Sequence, residues 1–147
     1  LEVTGMGYGL AVDLIAAAHA AGLLTTPFVF DEDQARALAG AGADVVVAHM
    51  GLTTKGAIGA TSALTLEATA ERIQGIADAA SSVKPDVIVL CHGGPVAEPE
   101  DAQYVLEHTT GVAGFFGASS MERLPTEVAI TENMRRFKRI TPSVAAG

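Results

Sequence analysis

Two histidines stand where apolar runs give way to glycine. Val87-Ile88-Val89-Leu90-Cys91-His92 is followed by Gly93-Gly94-Pro95, and Val45-Val46-Val47-Ala48-His49 by Met50-Gly51. Imidazole has an ordinary pKa near neutrality, so two of them at matching strand ends suit general acid–base work. The bland alternative is that each serves packing. They could also be half of a metal site, but no third ligand at a metal-binding spacing supports that. A third run, Val112-Ala113-Gly114-Phe115-Phe116-Gly117, leads into Ala118-Ser119-Ser120 and then Glu122 and Arg123. Gly93 and Gly94 let backbone approach a ligand closely. Ser119 and Ser120 offer amides and hydroxyls to an anion near a helix start, and Arg123 offers a bidentate contact. Against this, the glycines need only form a tight turn, and Arg123 has Glu122 and Glu127 within reach as partners. Glu122 is a further candidate for acid–base work or for holding Arg123. Thr53 and Thr54 lie in the long stretch Gly51–Leu64, which reads as a ligand-binding lid or as a surface loop.

These residues need a scaffold of short strands, each ending in a loop. Leu10 to Ala21 has apolar residues at helical spacing, stopped by Gly22. Leu23 to Phe30 is strand-like, although Pro27 removes a ladder donor, so it sits at a bulge or the regular strand begins after it. Asp31 caps a helix to about Ala41. Ala43 to Met50 is a strand, and Thr65 caps a long helix closed by Lys84-Pro85. Asp86 to His92 is a strand whose alternation puts Ile88, Leu90 and His92 on one face and Val87, Val89 and Cys91 on the other. If His92 faces an active-site mouth, Cys91 is a buried structural thiol. Glu98 to His108 is a helix with Pro99 just inside its start. Glu98 and Glu100 suit that helix N-terminus, and His19 and His108 read as structural. Val112 to Ala118 is a strand and Pro125 to about Arg139 the last helix.

Strict alternation with short connections implies α/β class, one domain, and a parallel sheet with helices outside it. Two architectures fit: a small doubly wound sheet, or the second half of an eight-stranded (β/α)8 barrel, strands five to eight. The absence of a nucleotide-type glycine fingerprint after the first strand favours the half-barrel. There the last two loops occupy the usual phosphate site. The chain has 147 residues, 49% of them apolar, enough for one core. Its net charge of −8 argues against nucleic acid as a partner. Arg135, Arg136, Lys138 and Arg139 fall in the last turns of a helix, where cations complement the dipole. No stretch reaches the roughly 18 apolar residues of a membrane span. One cysteine excludes an internal disulfide and fits a reducing, cytoplasmic compartment. The acidic, glycine-rich start does not resemble a signal peptide, and a first residue of Leu1 suggests part of a longer protein.

Several blocks together resemble the phosphoenolpyruvate hydrolase-like TIM-barrel family. They are Glu2-Val3-Thr4-Gly5-Met6-Gly7-Tyr8, Leu23-Leu24-Thr25-Thr26-Pro27, Ala48-His49-Met50-Gly51-Leu52-Thr53-Thr54, Leu90-Cys91-His92-Gly93-Gly94-Pro95, Glu98-Pro99-Glu100-Asp101-Ala102 and Gly117-Ala118-Ser119-Ser120-Met121-Glu122-Arg123-Leu124-Pro125. The family includes TIM-barrel signal transduction proteins, and a related barrel is the C-terminal domain of a plant antiviral resistance protein. The resemblance implies a C-terminal half-barrel and a homo-oligomer. It also implies a substrate such as phosphoenolpyruvate or phosphonopyruvate. Barrels that act on phosphonopyruvate hold Mg²⁺ with acidic residues, so Mg²⁺ is the one cofactor suggested, although this sequence contains no matching acidic motif. Three functional readings follow. One is a hydrolase or lyase acting on a small anionic metabolite, with His49, His92 and Glu122 moving protons and Thr53, Thr54, Gly93, Gly94, Ser119, Ser120 and Arg123 holding the substrate. Another is a non-catalytic sensing or protein-interaction barrel. The third is a fragment with no activity of its own.

Overall fold

A computed structural model describes residues 7–57 and 64–140. The elements run α1 (Tyr8–Ala20), β1 (Phe28–Val29), α2 (Glu32–Gly40), β2 (Val45–His49), α3 (Leu66–Val83), β3 (Ile88–His92), α4 (Pro99–Glu107), β4 (Val112–Phe115) and α5 (Arg123–Lys138). Local chemistry starts three of the helices. The Asp31 carboxylate accepts from the Gln34 amide at 2.8 Å, and the Thr65 hydroxyl from the Ala68 amide at 3.2 Å. At α4, Glu98 and Asp101 cap each other's backbone and Pro99 takes the first helical position. Helix α5 begins at Arg123, two residues before Pro125, because a proline in the first turn removes an amide that has no helical partner.

The first and last strands are shorter than the apolar runs that contain them. Pro27 has no amide for the ladder, and the regular strand begins after it. The preceding segment is still tied to β2: the carbonyls of Thr25 and Pro27 accept from Val45 and Val47 at 3.0 Å each. Thr25 and Asp44 also bond reciprocally. The Thr25 amide and hydroxyl donate to the Asp44 carboxylate, and the Asp44 amide donates to the Thr25 hydroxyl oxygen. These bonds hold the Asp44 carboxyl below the usual range. At the other edge, the β3–β4 register shifts between Val89 and Leu90, and regular pairing stops at Phe115 rather than running to Ala118. The Phe116 amide still donates to the Cys91 carbonyl at 2.8 Å.

The four strands lie in the order β1-β2-β3-β4, and all pair in parallel. A doubly wound sheet reverses its strand order at a switch point; this one does not. Consecutive parallel strands with helices on one face are the arrangement of half a (β/α)8 barrel. Val46, Ala48, Val89 and Cys91 pack into one core with Leu38 of α2, Ile73 and Ile76 of α3 and Val105 of α4. Burial removes Cys91 from solvent altogether and pushes its thiol up to about 11. The opposite face carries His49, His92 and Leu90, with Phe28 and Ile88 about half exposed. No helix among the described residues is long and apolar enough to cross a membrane.

Candidate active site

The strand register places His49 directly opposite His92 at the C-terminal ends of β2 and β3. Their rings lie 4.8 Å apart between centroids, at 72°. Three phenylalanines surround them. Phe28 stacks on His92 at 5.1 Å with the planes nearly parallel, and meets His49 edge-on at 5.0 Å. Phe30 lies 5.0 Å from His49, and Phe116 meets His92 edge-on at 5.6 Å. Period two along a strand puts Phe28 and Phe30 on the same face. That signal was present in the sequence, but the pair's role became evident only once β1 lay beside β2.

Each imidazole uses Nδ1 on the backbone, in opposite senses. The Gly51 amide donates to His49 Nδ1 at 3.0 Å. His92 Nδ1 lies 2.7 Å from the Phe116 carbonyl oxygen, which can only accept, so His92 Nδ1 carries the proton. Burial, reinforced by the neighbouring His92, lowers the pKa of His49 below its ordinary 6.5. The unfolded chain therefore binds more protons than the folded one just below pH 6.5. The stability contributed by neutral His49 is present above that pH and is lost as pH falls through the lowered folded value. Chemical unfolding at a series of pH values should show the native chain losing stability relative to His49→Gln from about pH 6.5 downward. Parallel profiles for the two proteins would refute the assignment.

The two glycines of the β3–α4 loop bring backbone against backbone. Both have positive φ, 73° at Gly93 and 59° at Gly94. A Cβ on Gly93 would meet the Gly51 carbonyl, and one on Gly94 the Met50 carbonyl. The Gly94 amide donates to the Gly51 oxygen at 2.8 Å, and the Thr54 amide to the Gly94 oxygen at 3.2 Å. Gly94 and Thr54 thus join two loops. Thr53 follows Gly51 and Leu52 in the same segment, and residues 58–63 of the expected lid lie outside the described residues.

Arg123 pairs with Glu127 at 2.7 Å and also donates to the Lys55 carbonyl at 3.0 Å. The second oxygen of Glu127 accepts from the Ala57 amide at 2.9 Å. These donors hold the Glu127 carboxyl below the usual range, the Ala57 amide contributing most. Lys55 in turn bonds Asp101 of α4 at 2.7 Å. Burial raises the Asp101 carboxyl, but the Lys55 ammonium and the amides of Glu98 and Ala97 outweigh it and leave it lowered. The loop after β2 is therefore fastened to α4 and to α5. The pairing of Arg123 with Glu127 was the alternative the sequence offered, whereas Lys55 and Asp101 carry no motif that marks them as fasteners. The Ser119 carbonyl accepts from the amides of Arg123 and Leu124, and the Ala118 carbonyl from those of Met121 and Glu122. Ser119 and Ser120 are half-buried in this turn. Glu122 is exposed at the start of α5 and lines a groove of about 690 Å³ with Arg123, Thr126, Glu127 and Ile130. That groove does not include the histidines. His108 stacks on Tyr104 at 3.9 Å and bonds its carbonyl.

Among the described residues, no three histidine, cysteine or carboxylate side chains gather as a metal site. Asp101 and Glu127, two carboxylates of this rim, are committed to Lys55 and Arg123. The described side chains thus do not fit the Mg²⁺ that the resemblance suggests.

A consecutive parallel sheet with polar groups at the C-terminal strand ends defines the chain as part of a TIM-type barrel. Solved structures agree on the fold. An N-acetylmannosamine-6-phosphate 2-epimerase from Clostridium perfringens superposes with a TM-score of 0.54 at 20% identity, over 86% of this chain and 48% of the other. The Amycolatopsis orientalis BexX/CysO complex gives 0.55 at 19%, over 95% of this chain and 55% of the other. The family model for phosphoenolpyruvate hydrolase-like proteins matches residues 1–140, and the chain belongs to that family. It is 62% identical over 141 residues to the tomato (Solanum lycopersicum) ToMV resistance protein Tm-1(GCR237), covering 96% of this chain and 19% of that protein. The chain thus spans about a fifth of the length of this curated relative.

Proposed function

We propose that this chain carries the acid–base centre of a TIM-barrel hydrolase or lyase acting on a small phosphorylated or phosphonylated pyruvate-type metabolite. The observation that carries the reading is the opposed pair His49 and His92, in register at adjacent strand ends within a phenylalanine cage. The family to which the chain belongs supports the substrate class. The anion would be held from the loops after β3 and β4. Ser119 and Ser120 supply hydroxyls there, while Gly93, Gly94, Thr53, Thr54 and Arg123 shape the rim. Glu122 would assist from the start of α5. A homo-oligomer in the cytoplasm completes this reading; the exposed apolar side chains Ile130, Met134 and Phe137 on α5 support self-association.

Incubation with phosphoenolpyruvate and with phosphonopyruvate, each with and without Mg²⁺, tests it through release of pyruvate and phosphate. Release from either substrate is expected, and silence from the folded protein would overturn the enzyme reading. One observation favours a second reading. The loop after β2 is fastened by the Lys55–Asp101 ion pair, by the bond from Arg123 to the Lys55 carbonyl and by that from the Ala57 amide to Glu127, a suitable device for reporting ligand occupancy without turnover. Bound ligand recovered unchanged after long incubation would favour this sensing role.

A further inference from the structure

We infer that the two histidines have fixed and unequal roles: His92 Nε2 is the base that takes a proton from carbon beside a carbonyl, and His49 Nε2–H is the donor to that carbonyl's oxygen. The natural substrate class is then an enolisable 2-oxo acid. The assignment rests on the proposed acid–base reading of the same pair, and it follows from which group each Nδ1 meets.

A neutral imidazole carries one proton on two nitrogens. The Gly51 amide gives its hydrogen to His49 Nδ1, so the ring proton of His49 is on Nε2. The Phe116 carbonyl takes its hydrogen from His92 Nδ1, so His92 Nε2 holds the lone pair. A donor and a base therefore stand side by side on rings 4.8 Å apart. The depressed pKa of His49 keeps it a neutral donor at physiological pH. The phenylalanines around the pair provide apolar walls, and in such surroundings a hydrogen bond to developing negative charge is worth more than in water.

The pair itself suits a single developing charge: an enolate oxygen needs one good donor, and His49 is that donor. In the step, the C–H bond breaks and its proton moves to His92 Nε2. The C–H electron pair forms the C=C bond, and the carbonyl π pair moves to oxygen, which accepts from His49. The reverse step returns a proton from His92 to carbon. In the imidazolium so formed, His92 Nδ1–H keeps its bond to the Phe116 carbonyl.

The test uses pyruvate as probe, with the full chain in D₂O, following loss of the methyl proton signal by NMR. Exchange above the buffer rate is expected, and His92→Gln should slow it roughly 10²-fold or more. A glutamine amide reaches the position of imidazole Nε2, whereas an asparagine amide reaches only that of Nδ1. His49→Gln should therefore keep about a tenth of the exchange rate or more, and His49→Asn should lose roughly 10²-fold. Long-range ¹H–¹⁵N spectra should show His49 protonated on Nε2 and His92 on Nδ1. The opposite tautomers, equal rates for the two His49 variants, or no exchange by the folded chain would each overturn the assignment. Exchange without cleavage of phosphoenolpyruvate or phosphonopyruvate would keep the roles and sink only the hydrolase reading. Cleavage without pyruvate exchange would do the reverse.

Discussion

His92→Ala is expected to lower turnover by roughly 10²–10⁴ while leaving the fold in place, the range observed when a general acid or base is removed. The two parts of this expectation have separate causes. Turnover falls because alanine has no nitrogen to accept a proton, and His49, whose Nδ1 takes the Gly51 hydrogen, lacks a lone pair to replace it. The fold persists because β3 is anchored from its other side. Val89 and Cys91 are fully buried against the helices, and neither touches the substituted position's face. What is lost structurally is one hydrogen bond to the Phe116 carbonyl, worth about 1 kcal/mol, and the ring contacts with Phe28, Phe116 and His49. Steady-state rates with circular dichroism of the same sample measure both. Activity within about 3-fold of the native chain would remove His92 from acid–base work.

The largest stability effect is expected at Gly94. Its φ of 59° lies in the left-handed region, which costs an alanine about 1–2 kcal/mol. The added Cβ would also press on the carbonyl oxygen of Met50, a backbone atom of the residue after β2 whose amide is bonded to the His92 carbonyl, and such crowding costs about 1–3 kcal/mol more. The sum, roughly 2–5 kcal/mol, corresponds to a fall in Tm on the order of 10 °C for a chain of this size. Gly111→Ala is the control. Its φ is 79°, but nothing lies within 4 Å of the new Cβ, so only the conformational cost applies. Thermal melts of the two variants should differ by the crowding contribution. Equal losses would show that the contact between the two loops is slack. Since Gly94 bonds Gly51 and Gly51 bonds His49, Gly94→Ala should also disturb the His49 tautomer.

Much of the framework was legible because it depends on local chemistry. Asp31, Thr65 and Pro99 mark helix starts, since a cap or a missing amide acts within one turn. The alternation in residues 86–92 separated His92 from Cys91, and the structure places them on opposite faces as that alternation requires. Strand lengths were less legible. The run after Leu23 narrows to Phe28–Val29 and the run after Val112 ends at Phe115, because a ladder depends on the neighbouring strand as well as on its own residues. The fastening of the rim was not legible at all. Lys55 meets Asp101 across 46 positions, and Arg123 meets the Lys55 carbonyl across 68. Nothing in the local composition singles out these partners.

By itself, the sequence determined the class of the fold, the two histidines as strand-end residues, and the burial of Cys91. These follow from short-range rules of hydrophobic period, capping and glycine geometry. The sequence favoured a half-barrel over a doubly wound sheet and its family resemblance implied one; the tertiary structure shows the strand order itself, which is a property of the sheet. The tertiary structure alone set the register that opposes His49 to His92, and it alone gave each imidazole its tautomer through a backbone group. It also set Arg123 against Glu127, the partner the sequence offered as the alternative to an anion. A hydrogen bond or ion pair is assigned by which groups meet in space, and groups far apart in the chain meet only after the strands have paired.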